Sequence, residues 1–254
     1  MSTLLEVRGL SKSFGGIAAV RNVSFELQKG ELLAFIGPNG AGKTTCFNML
    51  MGELKADSGT VLLNGRQINR LKPRQIWRLG VGRTFQITQT YPSMTVCENV
   101  QMALISYYRK IFSFGRYARN AYRERALELL HLVEMDTQSE RPAAILAYGD
   151  LKRLELAVAL ANEPQLLLMD EPTAGMAPGE RVALMQLTAN IVAEKNIGVL
   201  FTEHDMDVVF AHAGRIMVLN QGQLIANGSV DEVRNDARVR EVYLGGGTTF
   251  AGDL

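Results

Sequence analysis

Eight consecutive residues, Gly37-Pro38-Asn39-Gly40-Ala41-Gly42-Lys43-Thr44, stand between an apolar run and a segment of helical pattern. Their spacing fits G-x-x-x-x-G-K-[ST] with the required flanks, a strand before and a helix after. Glycines at those positions let the backbone wrap close to a phosphate chain with its N–H groups turned inward, and the helix N-terminus adds positive potential. In such a loop Lys43 would reach the β- and γ-phosphates of a bound nucleotide. The hydroxyl of Thr44 ligates Mg²⁺, and Thr45 follows it into the helix. A second constellation is Leu166-Leu167-Leu168-Met169-Asp170-Glu171. An apolar run ending in acids is often only a strand meeting solvent. Beside a phosphate loop, such a strand delivers Asp170 to the metal shell and leaves Glu171 next to the γ-phosphate, where it can polarise water as a general base. His204, in Phe201-Thr202-Glu203-His204-Asp205, follows the next strand pattern and can approach the same phosphate. His131 and His212 fall within helical patterns and read as structural; the three histidines have no metal-ligand spacing.

The elements that must position these groups are legible as a pattern. Leu4–Gly9 and Val20–Leu27 read as strands, the second alternating Val23, Phe25 and Leu27. Leu32–Ile36 is a continuous apolar run, suited to a strand buried on both faces. A helix is expected from Lys43 to Gly52, and Gly59–Leu63 reads as a strand running into an Asn64-Gly65 turn. From Thr95 to Ala161 strand signal almost vanishes, and Leu127, Leu130 and Val133 recur at helical spacing, which points to a helical lobe inserted in an α/β core. Strands return at Leu166–Met169, Val199–Thr202 and Ile216–Leu219, separated by helices such as Arg181–Glu194. The Gly- and Thr-rich segment from Gly245 to Leu254 is expected to fray.

Bulk properties exclude some classes. With 27 Lys+Arg against 26 Asp+Glu, the net charge of +1 gives no electrostatic reason to expect a nucleic-acid partner. Cys46 and Cys97 form neither a C-x-x-C pair nor a metal spacing, which fits a reducing compartment. Met1 to Gly16 lacks the marks of a signal peptide, and no apolar stretch approaches the ~18–20 residues of a spanning helix. The expectation is a cytoplasmic protein whose membrane attachment comes through a partner.

The phosphate loop, Asp170-Glu171-Pro172-Thr173 and His204 together resemble the ATP-binding cassette proteins along nearly the whole chain. The resemblance implies an α/β P-loop ATPase core with an N-terminal antiparallel β subdomain and an inserted α-helical subdomain. Residues 1–90 and 163–254 would form the core, and 91–162 the helical part. It implies that Phe14, before Gly15-Gly16, stacks on adenine, and that Gln86 joins the metal shell and reports to membrane subunits. Leu146-Ala147-Tyr148-Gly149-Asp150 matches the family's Leu-Ser-Gly-Gly-Gln signature. There Ala147, Tyr148, Gly149 and Asp150 face the ATP of an opposing subunit. Two cassettes would then close head-to-tail around two ATP molecules.

The match departs at the signature. Ala147 replaces a serine, Asp150 stands where Gln or Glu is usual, and Ala174-Gly175-Met176-Ala177-Pro178 replaces Ser-Ala-Leu-Asp-Pro. A carboxylate pointing at phosphate would be repulsive, so Asp150 is expected to cap the helix that begins there. These changes spare the chain's own ATP-binding half and alter the half presented to a partner, which suits a heterodimer with a different cassette. The Leu-Ala-Tyr-Gly signature, Ala174-Gly175-Met176 and Gly82-Arg83-Thr84-Phe85-Gln86 are similar to the branched-chain amino-acid uptake branch. So is the helical lobe with its aromatic-basic run from Tyr107 to Tyr122. That branch implies two transmembrane permease subunits, a second cassette ATPase, an external solute-binding protein and a peripheral place on the cytoplasmic face of a bacterial inner membrane. Part of the run, with Thr88 to Met94, would then meet the permease subunits, although by residue type alone it reads as a solvated helix face. Import of urea, other amino acids or aromatic acids stays open, as do lipid or polysaccharide export, a soluble cassette acting on DNA or ribosomes, and a regulatory cassette that binds ATP without hydrolysing it.

Overall fold

The computed structural model describes residues 2–84, 90–108 and 122–244. Phe85 and Gln86, the first two residues of the segment from Thr88 to Met94, the aromatic-basic residues 109–121 and the tail from Gly245 therefore lie outside the described residues. Among those described, the strands form two sheets. A four-stranded antiparallel sheet has the order β2-β1-β4-β5, from β1 (Thr3–Phe14), β2 (Ile17–Gln28), β4 (Ser58–Leu63) and β5 (Arg66–Gln67). The second sheet has the order β10-β9-β3-β8-β7-β6. It is built from β3 (Leu32–Ile36), β6 (Val81–Thr84), β7 (Leu166–Asp170), β8 (Gly198–Thr202), β9 (Arg215–Asn220) and β10 (Gln223–Gly228). Only its edge strand β10 runs antiparallel.

The continuous apolar runs in the middle of this sheet have a direct cause. Successive side chains of a strand point to opposite faces, and both faces here are covered. Leu32, Ala34 and Ile36 of β3 enter one core, and Leu33 and Phe35 enter another. The same division holds for Leu167 and Met169 against Leu166 and Leu168 in β7, and for Val199 and Phe201 against Leu200 in β8. The first core is closed by α3 (Val96–Tyr107), α4 (Arg123–Leu132), α5 (Tyr148–Leu160) and α6 (Pro178–Lys195). The second is closed by the antiparallel sheet, α1 (Lys43–Leu50) and α2 (Pro73–Arg78). Phe35, Phe47 and Phe201 are among the largest fully buried side chains. Truncating one of them to Ala would cost about 3–5 kcal/mol.

Two elements extend beyond the sequence reading. The first two strands run on to Phe14 and back to Ile17, because Gly15-Gly16 closes them as a hairpin with positive φ at both residues. Helix α2 interrupts the strand-rich region, started by Pro73 at its first position, where a missing N–H costs nothing. Helices α7 (Met206–His212), α8 (Val230–Asn235) and α9 (Ala237–Leu244) complete the described chain.

Candidate functional site

Because β3, β8 and β7 are adjacent and parallel, their carboxyl ends open on one edge of the sheet, the place where open α/β sheets bind ligands. The phosphate-loop residues leave β3 there, His204 follows β8, and Asp170-Glu171 end β7.

The loop depends on glycine at two points. A Cβ on Gly37 would lie 2.1 Å from the carbonyl oxygen of Leu219, and one on Gly42 would lie 2.3 Å from that of Ala19. Gly42, at φ 108, is also the residue before α1, whose first-turn N–H groups have no carbonyl partner within the helix. Pro38 accepts from the amide of Ala41, and the Ala41 carbonyl accepts from Gly222, which ties the loop to the turn after β9. Asn39 and Gly40 lie at the tip, with Gly40 at φ 77. Lys43 is 8% exposed, and its ammonium donates to the carbonyls of Gly37 (2.5 Å) and Pro38 (3.2 Å). Burial lowers its pKa, and the nearby Glu171 and Asp170 oppose that shift. Thr44 is exposed in the first turn of α1, and Thr45 beside it is half-buried. Phe14 is 50% exposed at the hairpin end, with the Lys12 ammonium 5.5 Å from its ring centre. The hairpin is held near the loop through Ala19, whose backbone abuts both Gly42 and Gly222. An exposed flat ring there is free to stack on a planar ligand.

Apart from His204, the residues that hold the carboxylates carry no local mark of that role in the sequence. Thr202, paired with Asp170 in the sheet register, donates its hydroxyl to Asp170 Oδ1 at 2.8 Å. The other oxygen of Asp170 faces Arg83 Nη2 at 3.5 Å. Glu171 sits at φ 48, a left-handed conformation that costs a non-glycine residue roughly 1–2 kcal/mol. Its amide is held by the hydroxyl (3.0 Å) and carbonyl (3.2 Å) of Thr202. Its carboxylate meets His204 Nε2 at 2.8 Å. Next along, Glu203 is buried and accepts from both the amide (2.8 Å) and the hydroxyl (2.7 Å) of Thr173. Burial raises the Glu203 pKa, and the Thr173 bonds oppose that shift. Arg181 joins Asp205 (2.6 Å) to the carbonyl of Met176 (2.8 Å), linking the segment after the acidic pair to that after β8. Tyr243 of α9 is buried beside the backbone of Gly37, so the last described helix packs against the phosphate loop.

No group of three or more His, Cys, Asp or Glu suited to a metal occurs among the described residues. Asp170 and Thr44 instead offer a carboxylate and a hydroxyl. These hard oxygen donors fit Mg²⁺, an ion that takes much of its shell from phosphates and water. Gln86, the third expected contributor, lies outside the described residues.

The signature residues stand apart from this edge, at the start of α5. The structure corrects one expectation: Asp150 does not cap that helix. Ala147 is at the N-cap without a side-chain hydrogen bond, and Asp150 lies within the first turn. A carboxylate there still favours the positive end of the helix dipole. Ala147 and Tyr148 are exposed, whereas Gly149 is buried against the Glu180 carboxylate, 3.0 Å from where its Cβ would be. The Tyr148 ring packs 3.3 Å from the Cβ position of Gly175, so the signature touches the segment after the acidic pair.

Comparison with known proteins agrees with this fold. A family model described as ABC transporter matches residues 20–174. A second, described as branched-chain amino acid ATP-binding cassette transporter, matches 223–248. The chain is 42% identical to LivG of Salmonella typhimurium, a high-affinity branched-chain amino acid transport ATP-binding protein, over 95% of this chain and 98% of that one. An ATP-binding cassette of an ABC transporter in its ADP conformation superposes with a TM-score of 0.86 at 32% identity, covering 96% of this chain and 100% of the other. A dimeric cassette in a post-hydrolysis state, bound to ADP and Pi, gives 0.76 at 28% identity, covering 89% and 99%.

Proposed function

This chain belongs to the ATP-binding cassette (ABC) transporter family, and from that premise we propose that it is the ATPase subunit driving uptake of branched-chain amino acids through separate membrane subunits. The observation that carries the catalytic part is the shared edge of β3, β8 and β7, where the phosphate loop, His204 and Asp170-Glu171 meet with Glu171 and His204 in contact at 2.8 Å. The cargo reading rests on the 42% identity to LivG across 95% of the chain.

In this reading Gly37, Pro38, Asn39, Gly40, Ala41, Gly42, Lys43, Thr44 and Thr45 cradle the phosphates, and Phe14 stacks on the base. Lys43 leaves the carbonyls of Gly37 and Pro38 for the phosphate oxygens, stronger acceptors for a buried ammonium. Glu171 takes a proton from the attacking water, held in place by Thr202 at its amide and His204 at its carboxylate. Mg²⁺, when bound, neutralises charge on the β- and γ-phosphates; Asp170 and Thr44, with Gln86, would hold it. Ala147, Tyr148, Gly149 and Asp150 face the ATP of an opposing cassette. Among the described residues no helix is long and apolar enough to cross a membrane, which suits attachment through permease partners.

The test is gentle detergent extraction of the chain from native membranes, with co-purifying polypeptides identified by mass. Two different multi-spanning proteins and a second cassette are expected, with ATPase activity stimulated by leucine and an external binding protein. Recovery only in the soluble fraction would overturn the transport reading. A complex stimulated by another solute would overturn the cargo.

A further inference from the structure

Arg83 lies in β6, on the flank of the strand that carries Asp170, and its side chain is only 7% exposed. One guanidinium nitrogen donates to Asn48 Oδ1 (3.1 Å), at the far end of the phosphate-loop helix, and to Glu53 Oε2 (2.8 Å). The other lies 3.5 Å from Asp170 Oδ2. Glu53 is 40% exposed and sits between Gly52 and Leu54, which border a surface cleft of about 570 Å³. A single buried cation is thus divided between a carboxylate at the surface and the carboxylate expected to hold the metal. Its distances favour Glu53.

From this division we infer that Arg83 is a positioning residue that sets how much negative charge Asp170 presents to Mg²⁺, and that Glu53 controls it from the surface. The inference rests on the metal role given to Asp170 above. The oxygen that Arg83 faces is the one Thr202 leaves open. A guanidinium drawn fully onto that oxygen weakens its hold on a cation, and a guanidinium held away by Glu53 strengthens it. Changes at Glu53 therefore act on Asp170 only through Arg83.

The experiment uses the full purified chain with ADP, titrated with Mn²⁺ and read by the loss of the free-ion electron paramagnetic resonance signal. Nucleotide affinity is measured in parallel without metal. Glu53→Gln, at a part-exposed site, is expected to weaken Mn²⁺ binding about two- to fivefold, the range of a partly exposed ion pair. Arg83→Gln is expected to tighten it by a similar factor, and Arg83→Lys, which keeps the charge, to stay near the unsubstituted chain. The double variant Glu53→Gln/Arg83→Gln is expected to match Arg83→Gln alone. All are expected to leave metal-free ADP affinity unchanged. Opposite shifts with that dominance support the inference. A Glu53→Gln effect that persists without Arg83, or no shift in either single variant, would overturn it while leaving the metal site standing. An unsubstituted chain that binds ADP but no Mn²⁺ would overturn the metal role of Asp170, and this inference with it.

Discussion

At the carboxyl ends of β7 and β8 the polar side chains are held by other polar side chains. Asp170 is fixed by Thr202 and Arg83, Glu171 by His204, and Glu203 by Thr173. At the start of α5 and in the segment after the acidic pair, contacts are of a different kind. Ala147, Ala174 and Ala177 have no polar side chain, and the join between the two stretches is the Tyr148 ring against the Gly175 backbone. The first region is pre-organised for charge, in the manner that low-dielectric sites require. The second is shaped by packing and offers chiefly backbone N–H groups and a helix dipole. The contrast implies that substitutions in the first region change ATP binding and turnover within one chain, whereas those in the second reach ATP only when a partner closes on it.

The largest effect tests the first region at its reactive end. Glu171→Gln keeps the shape and the contact with His204 but removes the base. Turnover by the assembled transporter is expected to fall about 10²–10⁴-fold, with ATP binding retained in a filter assay. Unchanged turnover would remove Glu171 from the role. Next comes Lys43→Ala, which deletes the buried ammonium that the loop itself holds. Charge-assisted bonds of about 1.5–3 kcal/mol correspond to an affinity loss of about 10–100-fold, measurable by calorimetry on the chain alone. Normal affinity would contradict the phosphate-loop assignment.

Ala147→Ser probes the second region. Ala is among the poorest N-cap residues, and a hydroxyl there can accept from the first turn of α5. The expected gain is about 1 kcal/mol in denaturant unfolding, with no change in the chain's own ATP affinity and an altered turnover only in the assembled dimer. A changed affinity in the isolated chain would blur the contrast between the regions.

What the sequence made legible follows from range. The phosphate loop, the acidic pair and His204 each sit at the end of a short apolar run, so local spacing was enough to find them. The antiparallel pair was visible through the alternation of Val23, Phe25 and Leu27, but its length depended on a Gly15-Gly16 hairpin that closes on itself. The roles of Thr202, Glu203, Thr173, Arg181 and Arg83 are not locally legible because they depend on partners far along the chain. Arg83 meets Asp170 only because β6 neighbours β7, and Thr202 meets it only because β8 lies on the other side. A polar residue at the end of a buried strand was the available signal, and Thr202-Glu203 carried it. The start of α5 differs from the expectation for a related reason. Asp is a common cap, and nothing local to Asp150 shows that Leu146 docks in the core and starts the helix sooner.

The smallest expected effect lies where the two regions join. Thr173, three residues past Asp170, is anchored to Glu203, and beyond it the chain passes into the apolar segment ending at Pro178. Burial raises the Glu203 pKa above its ordinary value of 4.5. In the pH range between the unfolded and folded values, the native state therefore holds more protons than the unfolded one. Stability contributed by this group is complete below the unfolded value and is lost as pH rises through the folded value. Glu203→Gln keeps an acceptor for the Thr173 hydroxyl and amide but cannot ionise. Its unfolding free energy, followed by urea denaturation from pH 4 to pH 8 (~1 pH-unit steps bracket the carboxyl range), is expected to fall less with pH than that of the unsubstituted chain. The two curves should diverge upward from the ordinary carboxyl range. Parallel curves would mean that Glu203 is charged in the native state at the same pH as in the unfolded chain. The Thr173 bonds would then fully offset its burial, making this junction as well adapted to charge as Asp170 and Glu171 are and moving the boundary between the regions past Thr173.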